Sequence, residues 1–216
     1  TIMFAEPKFD GLAIALTYEN GNLLSAVTRG DGTIGEDVTS NIKTIQNLPL
    51  TLSTKKTPKS LIVAAEVYSL ITDFHRINDS LKKMDKKTFA NPRNFAAGTV
   101  RQLDPTIAFK RNLQIYIHGI IKIDTNLSLP THSESMFYLG KIGFQTCDLN
   151  KKINNINQAI DYFNDISTKR DKLPYEIDGI VYKVDSYELR DLIGYTSKAP
   201  KWSIAFKFPS QVSQTR

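Results

Sequence analysis

The chain has 216 residues, 41% hydrophobic and 23% charged, enough apolar material for one sizeable globular domain or two small ones. Lysine and arginine number 28 against 22 aspartates and glutamates, a formal charge of +6 that suits a polyanionic partner without requiring one. The single Cys147 excludes an internal disulfide and a cysteine-based zinc site, and no apolar run is long enough to span a bilayer, so a soluble protein with a cytoplasmic location is expected.

Glu6-Pro7-Lys8-Phe9-Asp10-Gly11 comes first along the chain. A lysine amine is a nitrogen nucleophile, but Asp-Gly is also a common hairpin signal, so this tetrapeptide gains meaning only from support elsewhere. Leu12 to Tyr18 and Leu23 to Arg29 read as strands joined through Asn20-Gly21, a dipeptide that tolerates the positive φ of a tight turn. Leu61 to Leu70 is a β-rich apolar run. Thr72 offers an N-cap for a helix whose apolar face takes in Phe74, Ile77, Leu81 and Met84. Pro92 can begin a short helix after Asn91 that carries Arg93 through Arg101, and these two arginines, slightly over two turns apart, project to similar sides.

Leu113 to Ile123 reads as a further strand, followed by helices near Ser133 to Ile142, which Gly143 can terminate, and near Ile156 to Ile166. Lys151 to Asn157 reads as a polar surface connection, Ile177 to Val184 and Ser203 to Phe208 as the last strands, and Pro209 to Arg216 as a linker. Strands and helices in this irregular order predict an α+β fold of mostly antiparallel sheets with flanking helices.

Five segments stand out together: the lysine run, Thr28 to Thr39 (TRGDGTIGEDVT), Phe89 to Pro105 (FANPRNFAAGTVRQLDP), Glu176 to Val184 (EIDGIVYKV) and Trp202 to Pro209 (WSIAFKFP). In this order they closely resemble the adenylation domain of the bacterial-type NAD-dependent DNA ligases, over about Glu6 to Pro209. The Asn91 to Pro105 stretch is more specific to that family than the lysine motif, which ATP-dependent ligases and capping enzymes share. The resemblance implies the ATP-grasp-like nucleotidyltransferase domain of DNA ligases over residues 1–208, with 209–216 starting a linker to an oligonucleotide-binding domain.

By the same resemblance, Lys8 is the nucleophile that attacks the α-phosphorus of NAD, releases nicotinamide mononucleotide and keeps AMP as a lysyl phosphoramidate. Attack needs a neutral amine, and Lys183, Lys207, Arg101 and Arg170 are the expected cations around it. Lys183 and Lys207 match the lysines that contact the α-phosphate. Asp10 and Gly11 complete the motif, Gly11 letting backbone pass close to the nucleotide and Asp10 orienting donors or helping to hold magnesium. Glu66 matches the carboxylate that bonds ribose, although Ala64-Ala65 stands where the family usually has Arg-Gly. Glu6 matches the residue beside adenine, Arg29 a basic residue near ribose and phosphate, and Arg93, Arg101 and Arg170 positions near nucleotide or DNA phosphate. His118-Gly119 stands where a tyrosine-glycine pair usually stacks on adenine, and Val181 covers the other adenine face.

The implied cofactors are NAD, through its AMP half, and magnesium, with no protein cage for the metal visible in the sequence. The implied partner is nicked double-stranded DNA, the chain itself being a monomer. Opening at Thr1, almost on the lysine motif, the chain reads as an excerpt lacking the family's N-terminal nicotinamide-binding segment and its oligonucleotide-binding, zinc, helix-hairpin-helix and BRCT modules. Lysine chemistry with ATP or GTP, as in RNA ligases or capping enzymes, and a non-catalytic nucleic-acid-binding module are the alternatives. The Asn91 to Pro105 segment argues against the first.

Overall fold

Two four-stranded antiparallel sheets carry the architecture of the computed structural model, which describes residues 1–30, 35–54, 56–197 and 199–209. In chain order the elements are β1 (Met3–Phe9), β2 (Leu12–Glu19), β3 (Asn22–Thr28), α1 (Thr39–Ile42), β4 (Ser60–Tyr68), α2 (Ile71–Lys83), α3 (Pro92–Val100), α4 (Pro105–Arg111) and β5 (Gln114–Ile123). There follow α5 (His132–Lys141), β6 (Lys151–Ile153), α6 (Ile156–Lys169), a 3-10 turn (Arg170–Lys172), β7 (Ile177–Val184), α7 (Tyr187–Ile193) and β8 (Ser203–Lys207). The first sheet runs β6-β1-β7-β8 and the second β3-β2-β4-β5.

The second sheet forms because its strands alternate. Ile14, Leu16 and Tyr18 of β2 and Leu61, Val63, Ala65 and Val67 of β4 face inward, where they meet Ile42, Phe95, Met136 and Leu139 from the helices. Each fully buried leucine or isoleucine there contributes roughly 1.5–3 kcal/mol. The first sheet covers one face with α6, whose Tyr162 and Ile166 pack on Ala5, Ile180 and Tyr182. Its other face stays open toward the second sheet.

β1 belongs to one sheet and β2 to the other, so the chain passes between them at Asp10-Gly11. A Cβ on Gly11 would lie 2.2 Å from the Val67 carbonyl oxygen, so the close approach that requires glycine here is to β4. Gly11 also lines the cleft between the two sheets, the side on which its expected role toward a nucleotide falls. Phe9 locks the junction from behind, its ring 4.5 Å from Tyr116 and 4.6 Å from Tyr175, stacked on both.

The Asn20-Gly21 hairpin is present, with φ of 48° and 82°. Asn91 caps α3, its side chain accepting from the Asn94 amide with Pro92 at the first turn, and Gly143 follows α5 at φ 108°. Other expectations fail. Thr72 lies inside α2, which begins after Leu70 with no side-chain cap, and Met84 is 60% exposed because the buried face of that helix is Asp73, Phe74 and Asn78. Phe74 and Ile77 do pack on the core as expected, and buried Asp73, which accepts from Asn112 and Arg76, adds a polar anchor beside them. Lys151–Ile153, expected as a surface connection, is the edge strand β6 paired with β1. Within the linker expected at 209–216, residues 210–216 lie outside the described residues. No helix among the described residues is long and apolar enough to cross a membrane.

Candidate active site

A cleft of about 530 Å³ opens between the two sheets, lined by Glu6, Lys8, Val181 and Lys183 from the first and by Ala13, Glu66, Tyr116 and His118 from the second. Strand alternation explains the selection. Phe4, Glu6 and Lys8 point to one face of β1, and their direct cross-strand partners Lys183, Val181 and Gly179 point to the same face of β7. On the second sheet Ala13, Glu66 and Tyr116 are register partners on the face away from the helical core, with His118 two residues beyond Tyr116 on the same strand.

Lys8 Nζ donates to both carboxylate oxygens of Asp178, each at 2.8 Å. The contact is with an anion, which differs from the expected crowd of cations. Deeper in the cleft Glu6 is only 2% exposed; its Oε2 is paired with the Lys183 ammonium and its Oε1 accepts from His132 Nε2 at 2.9 Å. Burial pushes the Glu6 carboxyl up, but Lys183 and the His132 bond outweigh it and bring it down to about 2. Lys183 Nζ also donates to the His118 carbonyl at 2.8 Å, which ties the two sheets together across the cleft.

Glu66 is the contrasting carboxyl. Burial raises it to about 7 despite the nearby charges of Lys8 and Arg93 and a bond from the Gly11 amide. His118 is lowered to about 4 by burial and by the Lys183 charge, so its ring is neutral at physiological pH.

Arginines crown the opening. Arg93 of α3 lies 3.5 Å from Asp10, and Arg101 at the end of that helix donates to Glu36 at 2.6 Å; both line the cleft together with exposed Arg29. Both ion pairs are largely exposed, so each contributes little to stability and leaves its guanidinium ready to exchange partners. Asp10 itself is turned to Arg93 and does not line the cleft. Lys207 stands directly across Gly179 on the same sheet face as Lys8, but it is exposed and outside the cleft lining. Arg170 is further removed, its guanidinium 5.2 Å over the Phe208 ring, where it makes no part of the cleft wall.

Among the charged and polar contacts of the site, Asp178 and His132 were not singled out from the sequence, nor was Tyr116 of the cleft wall. Asp178 repeats the Asp-Gly pattern of Asp10-Gly11 within the fourth segment, a signal that could have found it. His132 gives no such signal, because only the packing of α5 against β1 brings it to Glu6. A larger apolar groove of about 620 Å³, lined by Met3, Phe163 and Phe206 among others, opens beside α6 on the opposite face of the first sheet and holds no comparable charged cluster.

Two lysine amines, two carboxylates and three guanidinium groups line the cleft where two antiparallel sheets close on each other, and they define an α+β domain with a lysine-centred, strongly charged site. Residues 1–211 match the family described as NAD-dependent DNA ligase adenylation domain, and the chain belongs to that family. It is 48% identical over 210 residues to a DNA ligase of Oceanobacillus iheyensis and 44% identical over 211 residues to a DNA ligase of Bacillus subtilis, covering 97% and 98% of this chain. It spans 31% of the length of each of these relatives. Among solved structures, a mycobacterial DNA ligase D complexed with ATP and MES overlaps with a TM-score of 0.48 at 10% identity, over 86% of this chain and 49% of that one.

Proposed function

We propose that Lys8 takes AMP from NAD: the Nζ–P bond forms at the α-phosphorus as the phosphoanhydride bond to nicotinamide mononucleotide breaks, and that leaving group departs with the electron pair. The observation that carries this is the position of Lys8 Nζ, aimed into the inter-sheet cleft and 2.8 Å from Asp178, a carboxylate in place to accept the ammonium proton. The arginines of the rim supply charge for the phosphate oxygens, with Lys207 joining from the next strand when its side chain swings inward, while Lys183, held by Glu6 and the His118 carbonyl, serves the base in place of the α-phosphate role expected of it. Glu6 and Lys183 meet the adenine edge, His118 and Val181 its faces, and Glu66 the ribose. These supports come from the register of the two sheets together with family membership.

In a longer ligase the AMP passes on to the 5′-phosphate of nicked DNA, which the 3′-hydroxyl then seals. Residues 1–208 form the adenylating unit and 209–216 lead toward the modules that grip DNA. Magnesium does not have a ready ligand set here: no group of three or more histidine, cysteine, aspartate or glutamate residues able to hold a metal occurs among the described residues, and Asp10 and Asp178 are engaged by Arg93 and Lys8. Its place is with the phosphates of the dinucleotide, and no step is assigned to it.

The test is incubation with NAD, ATP or GTP, each labelled in the nucleoside monophosphate portion, with the chain alone and with the family's N-terminal segment supplied. Label from NAD that stays on the denatured protein, that survives alkali and is released by acid as a phosphoramidate is, and that is absent from Lys8→Ala and strongest with the added segment is the expected result. Label persisting in Lys8→Ala removes Lys8 as nucleophile, and label from GTP points to capping-type chemistry. Salt-sensitive DNA binding with no label from any donor would leave a non-catalytic module.

A further inference from the structure

His132 lies outside the cleft, at the first residue of α5, yet its imidazole reaches the carboxylate at the cleft's inner end. We infer that His132 is a positioning residue that fixes Glu6 for recognition of the amino edge of the bound purine, an inference that rests on the nucleotide-site assignment above.

The histidine is itself held from several directions. Thr131 caps α5 through the Glu134 amide, the His132 amide donates to the Asp185 carbonyl at 2.8 Å, and Ser133 bonds the Asp185 carboxylate through both its amide and its hydroxyl. The ring is 2% exposed, edge-on to Phe4 at 5.1 Å and to Tyr187 at 6.5 Å. It has little freedom to turn away.

The proton inventory then fixes the tautomer. Glu6 is ionised and can only accept, so Nε2 of the neutral ring carries the proton and donates it; Nδ1 is a bare acceptor, buried without a partner. One Glu6 oxygen belongs to His132 and the other faces Lys183. Held this way, the pair offers a purine an acceptor, the carboxylate, beside a donor, the ammonium. Adenine presents the complement, an amino donor next to a ring-nitrogen acceptor. A 6-oxo purine presents an acceptor to the carboxylate and is disfavoured. Without the imidazole anchor the carboxylate is free to rotate onto Lys183, and the contrast between the two purines shrinks.

The test is calorimetric binding of AMP and of inosine monophosphate to the 216-residue chain and to His132→Leu, His132→Asn and His132→Gln, with melting temperatures recorded for each. The wild type should prefer AMP. Leucine and asparagine, which cannot donate to Glu6 (asparagine being one methylene too short), should lower the AMP-to-inosine-monophosphate affinity ratio about tenfold, the scale of a hydrogen bond to a charged group. Glutamine, whose amide reaches as far as Nε2, should restore most of that ratio. A ratio unchanged in folded His132→Leu or His132→Asn overturns the inference, as does a wild type that binds both nucleotides equally while Lys8 is still labelled from NAD. If leucine does not fold, asparagine decides. Loss of fold in both marks His132 as structural and overturns the inference, and a wild type that binds neither nucleotide overturns the site assignment itself.

Discussion

Lys8 and Asp178, 170 residues apart in the chain, meet in a two-point contact with Nζ 2.8 Å from each carboxylate oxygen. Their strands β1 and β7 are neighbours, and Lys8 lies opposite Gly179; Asp178, the residue before it, sits at the register irregularity between Lys8 and Phe9 and reaches the amine there. The side chains are 30% and 27% exposed, which leaves the pair screened and adjustable rather than a rigid buried bridge.

Asp178→Asn keeps the size of the side chain and removes the proton acceptor. The expected outcome is a fall of roughly 100-fold in the rate of Lys8 labelling from NAD, with AMP affinity changed only a few-fold, measured by rapid quench and calorimetry. A labelling rate within threefold of wild type would show that the proton leaves by another route.

Glu66 and Glu6 give stability opposite slopes with pH. Burial lifts Glu66 to about 7 against an ordinary value of 4.5, so the folded state holds that proton more tightly; the stabilisation is complete below pH 4.5 and is lost as pH rises through 7. Glu6, brought down to about 2 by Lys183 and His132 against the opposing effect of burial, stabilises the fold above pH 4.5, and that stabilisation is lost as pH falls toward 2. Denaturant titrations from pH 3 to pH 8 should show Glu66→Gln removing a decline of roughly 2–3 kcal/mol across the upper window. An identical pH profile in Glu66→Gln and wild type would contradict this assignment.

Gly179 stands between Lys8 and Lys207 in the first sheet, and a Cβ there would come 2.3 Å from the Phe206 carbonyl oxygen and 2.8 Å from the Lys207 Cα. Gly179→Ala should therefore push β8 outward and cost about 1–3 kcal/mol, with a matching drop in melting temperature. Unaltered stability would mean that β8 yields freely.

Phe9 is 7% exposed and stacked between Tyr116 and Tyr175, where the two sheets meet. Phe9→Ala should cost about 3–5 kcal/mol in denaturant unfolding and weaken AMP binding as well, because the ring that it removes sets the spacing of the cleft walls. Phe9→Leu, which keeps most of the volume, should recover much of the stability. Equal losses in both variants would point to the stacking geometry alone.

Much of the fold is local in origin and therefore legible along the chain. Alternation in β2 and β4, the Asn20-Gly21 turn and the Asn91-Pro92 start of α3 depend on neighbours in sequence, which is where propensity, capping and turn chemistry act. The short helices α4 and α7 were missed although Asp104 and Ser186 cap them, because seven residues carry too little periodicity to stand out. β6 was missed because three polar-looking residues become a strand only when β1 is there to pair with them.

By itself the sequence determined the identity of the chemical groups, with the spaced motifs that carry Lys8, Glu66 and Lys183, and the period of the strands that places Glu6 with Lys8 and Val181 with Lys183 on common faces. Only the tertiary structure decided which charges touch. It set Asp178 rather than a cation against Lys8, brought His132 to Glu6, and placed Lys207 and Arg170 outside the cleft wall. The physical reason is that charge–charge and hydrogen-bond energies depend on separations of a few ångströms between residues more than a hundred positions apart, and sheet register and helix docking, not sequence spacing, set those separations.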